Sequence, residues 1–128
     1  MEPRVRVVIS HMEAHLNQKL TVAELARIAH LAPARLHQLF RAETSKSPLQ
    51  YINALRMRRA KDLVETTLHS VKEIAAEVGI NDVSHFVRKF ELTWGLPPSR
   101  YRSVFHREYE NAGARQSEKM PINYSSGQ

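Results

Sequence analysis

The chain repeats itself. Thr21, Val22, Glu24, Leu25, Ala26 and Leu31 recur 49 residues later as Ser70, Val71, Glu73, Ile74, Ala75 and Ile80; after one extra residue in the turn, Leu36, Phe40, Pro48 and Tyr51 recur as Phe86, Phe90, Pro98 and Tyr101. A period of this size means that one supersecondary unit is built twice, so a fold that suits one copy must suit both. Each copy opens on a capping box, Thr21-Val22-Ala23-Glu24 and Ser70-Val71-Lys72-Glu73, where the hydroxyl accepts from the glutamate amide and the carboxylate accepts from the first residue's amide. A short helix, a turn of three or four residues and a longer helix then follow, which is the layout of a helix-turn-helix. The first unit is expected over residues 21–44, the second over 70–94 and a linker helix over 48–66. This is an all-α fold, two helix-turn-helix subdomains on about seven helices.

Local signals mark where these helices start and stop. Pro33 is favoured as a first helical residue, and the helix it opens turns Leu36, Leu39 and Phe40 inward while Arg35, His37, Gln38 and Arg41 face largely outward. Ser47-Pro48-Leu49-Gln50 supplies a serine cap, a proline at N1 and a glutamine at N3. With Leu49, Ile52, Leu55, Ala60, Leu63 and Val64 inward, the linker helix runs about 18 residues, roughly 27 Å at 1.5 Å per residue. Val5, Val8, Ile9, Met12 and Leu16 predict an amphipathic helix over 4–17. In the second unit Asp82 is an N-cap, and Gly79 and Gly95 are helix stops. Phe86, Phe90 and Trp94 recur every fourth residue as one buried stripe, with Val83, Ser84, Val87, Arg88 and Glu91 on other faces. That spacing assigns the aromatics to the core rather than to a base-stacking platform. A short final helix is expected over Pro98 to Val104. Asn111 to Gln128 is rich in Gly, Ser, Asn, Gln and charge, so the domain should occupy 1–107 and a flexible tail 108–128.

Charge narrows the choice of partner. The net charge is +6 and the pI near 10, and the excess is patterned. Between Pro33 and Lys61, seven basic residues (Arg35, Arg41, Lys46, Arg56, Arg58, Arg59 and Lys61) meet the single acid Glu43. From Asp82 to Arg107, Arg88, Lys89, Arg100, Arg102 and Arg107 meet only Asp82 and Glu91. In both copies the positive charge lies on and just beyond the second helix, as a polyanion-binding surface requires and a plain helical bundle does not. The chain has no cysteine, which excludes disulfides, thiolate zinc sites and thiol catalysis. His11 and His15 sit four apart, a metal-compatible spacing, but without a nearby third ligand a solvated helix face explains them better. A metal-dependent hydrolase is further disfavoured because the chain has neither a nucleophile elbow nor a phosphate-cradling glycine loop. No catalytic residue, metal or cofactor is therefore expected. No apolar run approaches the roughly 18–20 residues of a membrane span, and no signal-peptide core precedes the first helix, so a cytoplasmic protein with no membrane partner is expected.

The segment GINDVSHFVRKFELTWGLPPSRYR closely resembles the second helix-turn-helix signature of AraC/XylS-type transcription regulators, and Leu25 to Leu63 resembles their first motif and connecting helix. The likeness covers about residues 5–105. Three positions depart from the usual pattern: Ile80 for a common phenylalanine, Ala32 for a common capping serine and Ser45 for a common glycine. The resemblance implies a monomer, unless it belongs to a longer dimeric protein, that lays two recognition helices in successive major-groove segments of double-stranded DNA. Residue by residue, it implies Ala34, His37 and Gln38 in the first unit and Val83, Ser84, Val87 and Arg88 in the second as base-edge candidates. Arg88 suits guanine and Gln38 adenine, whereas Ala34, Val83 and Val87 can only touch thymine methyls. Arg35, Arg41, Lys46, Arg56 and Arg102 are candidates for phosphates, or else solvated surface, with Arg56 alternatively pairing with an acid to hold the linker helix. His85 either reaches a phosphate or packs against the scaffold. The alternative function is a module that docks on RNA polymerase or another regulator.

Overall fold

Seven α-helices follow one another in the computed structural model, which describes residues 1–119: α1 (Pro3–Ala14), α2 (Val22–Ile28), α3 (Pro33–Thr44), α4 (Pro48–Thr66), α5 (Val71–Glu77), α6 (Val83–Trp94) and α7 (Pro98–Lys119). Among the described residues, no helix is long and apolar enough to cross a membrane. The three expected capping boxes all close, at Thr21/Glu24, Ser47/Gln50 and Ser70/Glu73. Hydrogen bonds from Ser70 hold the Glu73 carboxyl below its usual pKa. After α2 and α5 the chain turns in the same way. Leu31 N–H donates to Ala26 C=O and Ile80 N–H to Ala75 C=O, both at 2.9 Å, closing a Schellman turn around a left-handed residue, His30 in one copy and Gly79 in the other.

Two cores form rather than one. Val5, Val8 and Met12 of α1, Leu25, Ala26 and Ala29, Leu36 and Phe40 of α3, and Ile52 of α4 make the first. Met57, Ala60, Leu63 and Val64 of α4, Ile74, Ala75 and Val78, and Phe86 and Phe90 of α6 make the second. The linker helix thus belongs to both, changing core between Ile52 and Met57. Its far half does for the second unit what α1 does for the first: Met57, Ala60 and Val64 have the same three-then-four spacing as Val5, Val8 and Met12. An aromatic pair repeats with them, edge to face, at 5.5 Å for Phe40–Tyr51 and 5.6 Å for Phe90–Tyr101.

Three expectations need correction. Leu49 is not an inner contact but 46% exposed; in the first turn of α4 it is Pro48 that fills the core. The first helix ends at Ala14, not at Asn17. The final helix does not stop near Val104, and residues 108–119 are helical rather than tail. Tyr101, Arg102 and His106 anchor the start of α7 on α4, and the helix propagates from that nucleus at small cost per residue, carrying exposed Arg107 to Ala114 outward. The rest of the expected tail, 120–128, lies outside the described residues.

Candidate nucleic-acid interface

Burial of Leu36 and Phe40 behind α3, and of Phe86 and Phe90 behind α6, fixes which side of each helix looks outward. On α3 that side carries Ala34, Arg35, His37, Gln38 and Arg41, all exposed, with exposed Lys46 just beyond. Arg35 Nη1 donates to Gln38 Oε1 at 3.3 Å, so the amide is already oriented with its NH2 free to donate. On α6, Ser84, His85 and Arg88 are exposed; Val83 and Val87 are half-buried, and Val87 packs on the second core. Val87 is therefore part scaffold. His85 does not pack against the scaffold: it is exposed and borders a shallow recess with Arg88, Lys89 and Leu92. Asp82 Oδ1 accepts from His85 N–H at 3.1 Å and starts the helix, whereas Ala32 gives α3 no side-chain cap.

Two expected phosphate ligands are committed elsewhere. Arg56 donates from Nε to Leu16 C=O at 3.2 Å and from Nη2 to Gln18 C=O at 2.8 Å. It holds the linker helix as the alternative reading had it, but through backbone carbonyls and not an acid. Burial lowers its pKa from the ordinary guanidinium value. Arg102 donates from Nε to Val64 C=O at 3.0 Å, with Nη2 buried. Both act as struts, Arg56 from α4 to the segment after α1 and Arg102 from α7 to α4. Arg35, Arg41, Lys46 and Arg88 remain outward on or beside α3 and α6.

The partners of several residues were not foreseen from the sequence. Trp94, only half-buried, donates its indole N–H to Met57 C=O at 3.0 Å and so ties the end of α6 to the middle of α4. Lys61 lies 5.1 Å from the Trp94 ring and 3.6 Å from Glu65, which also accepts from Tyr101 Oη at 2.6 Å. Burial, with Glu65 second, pushes the Tyr101 phenol up to about 12. A buried indole N–H needs an acceptor, which is the one signal that could have flagged Trp94. Glu91 and Leu92 complete the outward side of α6, Leu92 at 87% exposure. At the end of α1 the rings of His11 and His15 stack at 4.1 Å, and His15 Nδ1 lies 2.8 Å from His11 C=O. They converge on no third ligand among the described residues.

Two cored helical hairpins on one shared helix, each presenting the second helix of its hairpin, define a tandem helix-turn-helix domain. A family model described as a helix-turn-helix domain matches residues 25–103, and the chain belongs to this AraC-type family. The chain is 32% identical over 100 residues to an uncharacterised helix-turn-helix-type transcriptional regulator, YobQ of Bacillus subtilis, covering 78% of this chain and 42% of that protein. It is similar in structure to the DNA-binding domain of the global transcriptional factor AdpA, solved in complex with a target DNA: TM-score 0.78, 27% identity, 82% of this chain and 95% of that one. It is also similar to the C-terminal domain of AraT, a response regulator of Geobacillus stearothermophilus: TM-score 0.76, 27% identity, 80% of this chain and 86% of that one. The chain spans less than half the length of the curated relatives it matches first.

Proposed function

We propose that this chain is the DNA-reading part of a transcription regulator, acting in the cytoplasm as a monomer that places α3 and α6 in successive major-groove segments of one duplex. The observation that carries the reading is the outward side of each second helix. Both are held from behind by a pair of fully buried apolar residues, Leu36 with Phe40 and Phe86 with Phe90, and both offer a side chain able to pair with a base, Gln38 or Arg88. AdpA, a relative of the same fold, was solved on its target DNA, which supports the same use here. The 19 residues of α4 span about 28 Å, less than the roughly 34 Å turn between successive groove segments, so the bound duplex bends toward the protein and sequence-dependent flexibility adds to the readout.

Within this reading Arg88, His37, Gln38, Ser84 and Ala34 face base edges, Val83 and Val87 face them only in part, and Arg35, Arg41, Lys46 and His85 face phosphates. Arg88→Ala tests it. Affinity for a site selected from a random duplex pool should fall about 5- to 150-fold, the equivalent of about 1–3 kcal/mol, while affinity for random duplex falls far less. Equal losses on both would reduce Arg88 to a phosphate contact. Binding should also weaken steeply as salt rises.

A further inference from the structure

The two cores are separate, so something must set the angle between the two reading helices. The linker helix passes from one core to the other between Ile52 and Met57, and Arg56 sits at that crossing. Its Nε and Nη2 reach the carbonyls of Leu16 and Gln18, in the segment that joins α1 to α2. The second unit arrives at the same point through its turn. A Cβ added to Gly79 would lie 2.3 Å from Leu16 O and 3.3 Å from Arg56 Nε and Nη2, closer than any side chain tolerates against backbone. On the next residue of α4, Met57 C=O accepts the Trp94 indole at the end of α6. One turn of the linker helix therefore holds the first unit through Arg56, the second unit's turn through the bare α-carbon of Gly79, and the second reading helix through Trp94.

We infer that the fork of Arg56 on the Leu16 and Gln18 carbonyls, closed by Gly79, is a clamp that fixes the angle between α3 and α6 and thereby the half-site spacing that the protein accepts. Arg56 is a positioning residue: it acts on DNA through the two helices it aligns. The spacing part rests on the two-groove reading proposed above; the clamp itself does not. A planar guanidinium with two donors in fixed directions suits the task, because two carbonyls bound at once define an orientation that one bond leaves free to swivel. Each base pair inserted between half-sites turns the second about 34–36° around the duplex. A rigid pair of heads must reject that rotation and a swivelling pair tolerates it.

The chain has no cysteine, so a spin label on Ala42→Cys in α3 and another on Leu92→Cys in α6, both exposed, report the distance between the heads without DNA. Wild type should give one narrow distance distribution, and Arg56→Gln and Arg56→Lys should each broaden it, with helix content by circular dichroism unchanged. Arg56→Lys keeps the charge and loses the fork. A distribution as narrow in both variants as in wild type overturns the clamp. On selected duplexes with one base pair inserted or deleted between half-sites, wild type should bind at least about tenfold more weakly than at the selected spacing, and both variants should shrink that penalty to about threefold or less. If Arg56→Gln instead weakens binding equally at every spacing and lowers the salt slope by about 0.9, Arg56 is a phosphate ligand and the inference fails. A wild type indifferent to spacing would sink the two-groove reading, and the label distances would still decide the clamp.

Discussion

At the end of the short helix in each unit the chain turns through a left-handed residue, His30 at φ 57° in the first and Gly79 at φ 83° in the second, and the second has a neighbour that forbids a side chain. At the end of the longer helix the pair recurs as Ser45 at 64° and Gly95 at 94°, yet a Cβ on Gly95 would meet nothing within 4 Å. Glycine therefore means two things in one unit. At 95 it eases a backbone angle that the first unit tolerates in a serine; at 79 it also lets two parts of the molecule touch. The first unit takes residues with side chains at both positions because nothing crowds them there: His30 and Ser45 are exposed.

The largest expected effect tests that distinction. Gly79→Ala should destabilise by about 2–5 kcal/mol, the left-handed penalty of about 1–2 plus an overpacking cost of about 1–3, because the atom it strikes is backbone. Gly95→Ala should lose only the first part, about 1–2 kcal/mol. Urea unfolding of the two variants decides it. Equal losses would mean that the approach of Leu16 to the second turn adds nothing.

The outward sides differ in charge as well as in caps. Where α3 carries Arg41, the equivalent position of α6 carries exposed Glu91. On a groove-facing helix, as proposed above, a carboxylate is repelled by phosphate and can accept only from the amino groups at cytosine N4 and adenine N6 among the major-groove base edges. On the proposed reading the second unit gives up attraction shared by all sequences and keeps Arg88 as its discriminating side chain; the first, with Arg35 and Arg41 flanking Gln38, is the more electrostatic. Glu91→Arg should erase this contrast. Affinity for random duplex should rise about 3- to 10-fold at low salt, and the slope of log affinity against log salt should steepen by about 0.9 as one phosphate contact is added. Unchanged affinity and slope would place position 91 away from the backbone.

How much of this could be read from the chain depends on how far apart the cooperating residues lie. The helix starts were legible, because Thr21 with Glu24, Ser47 with Gln50 and Ser70 with Glu73 are three apart and complete their chemistry locally. The buried pairs Leu36/Phe40 and Phe86/Phe90 were legible for the same reason, so the outward sides of α3 and α6 followed. The struts were not. Arg56 meets residues 40 and 38 positions away, Trp94 one 37 away and Arg102 one 38 away; in sequence each is only an arginine or aromatic of ordinary spacing, and both arginines were assigned to phosphate for want of those partners. The length of α7 was hidden by composition. Asn111 and Gly113 suggest tail, but helix propagation from a docked first turn outweighs about 1 kcal/mol lost at one exposed glycine.

The smallest contrast is at the helix starts, and it can be exchanged between the units. Asp82 caps α6 by accepting from His85 N–H at 3.1 Å, while Ala32 in the same place leaves α3 without a side-chain acceptor. Ala32 already has the extended backbone of an N-cap, at φ −68° and ψ 149°, so a hydroxyl added there needs no rearrangement to reach the first-turn amides. Ala32→Ser should stabilise by about 0.5–1 kcal/mol, and Asp82→Ala should cost about 0.5–2 kcal/mol. The two changes combined should equal the sum of the singles, between a gain of about 0.5 and a cost of about 1.5 kcal/mol, since the caps are on separate units with separate cores and share no partner. Thermal unfolding of both singles and the double measures this. A double variant that departs from the sum by more than about 0.5 kcal/mol would show that the units sense each other's helix starts through the linker, and would move the coupling from the Arg56 crossing to the reading helices themselves.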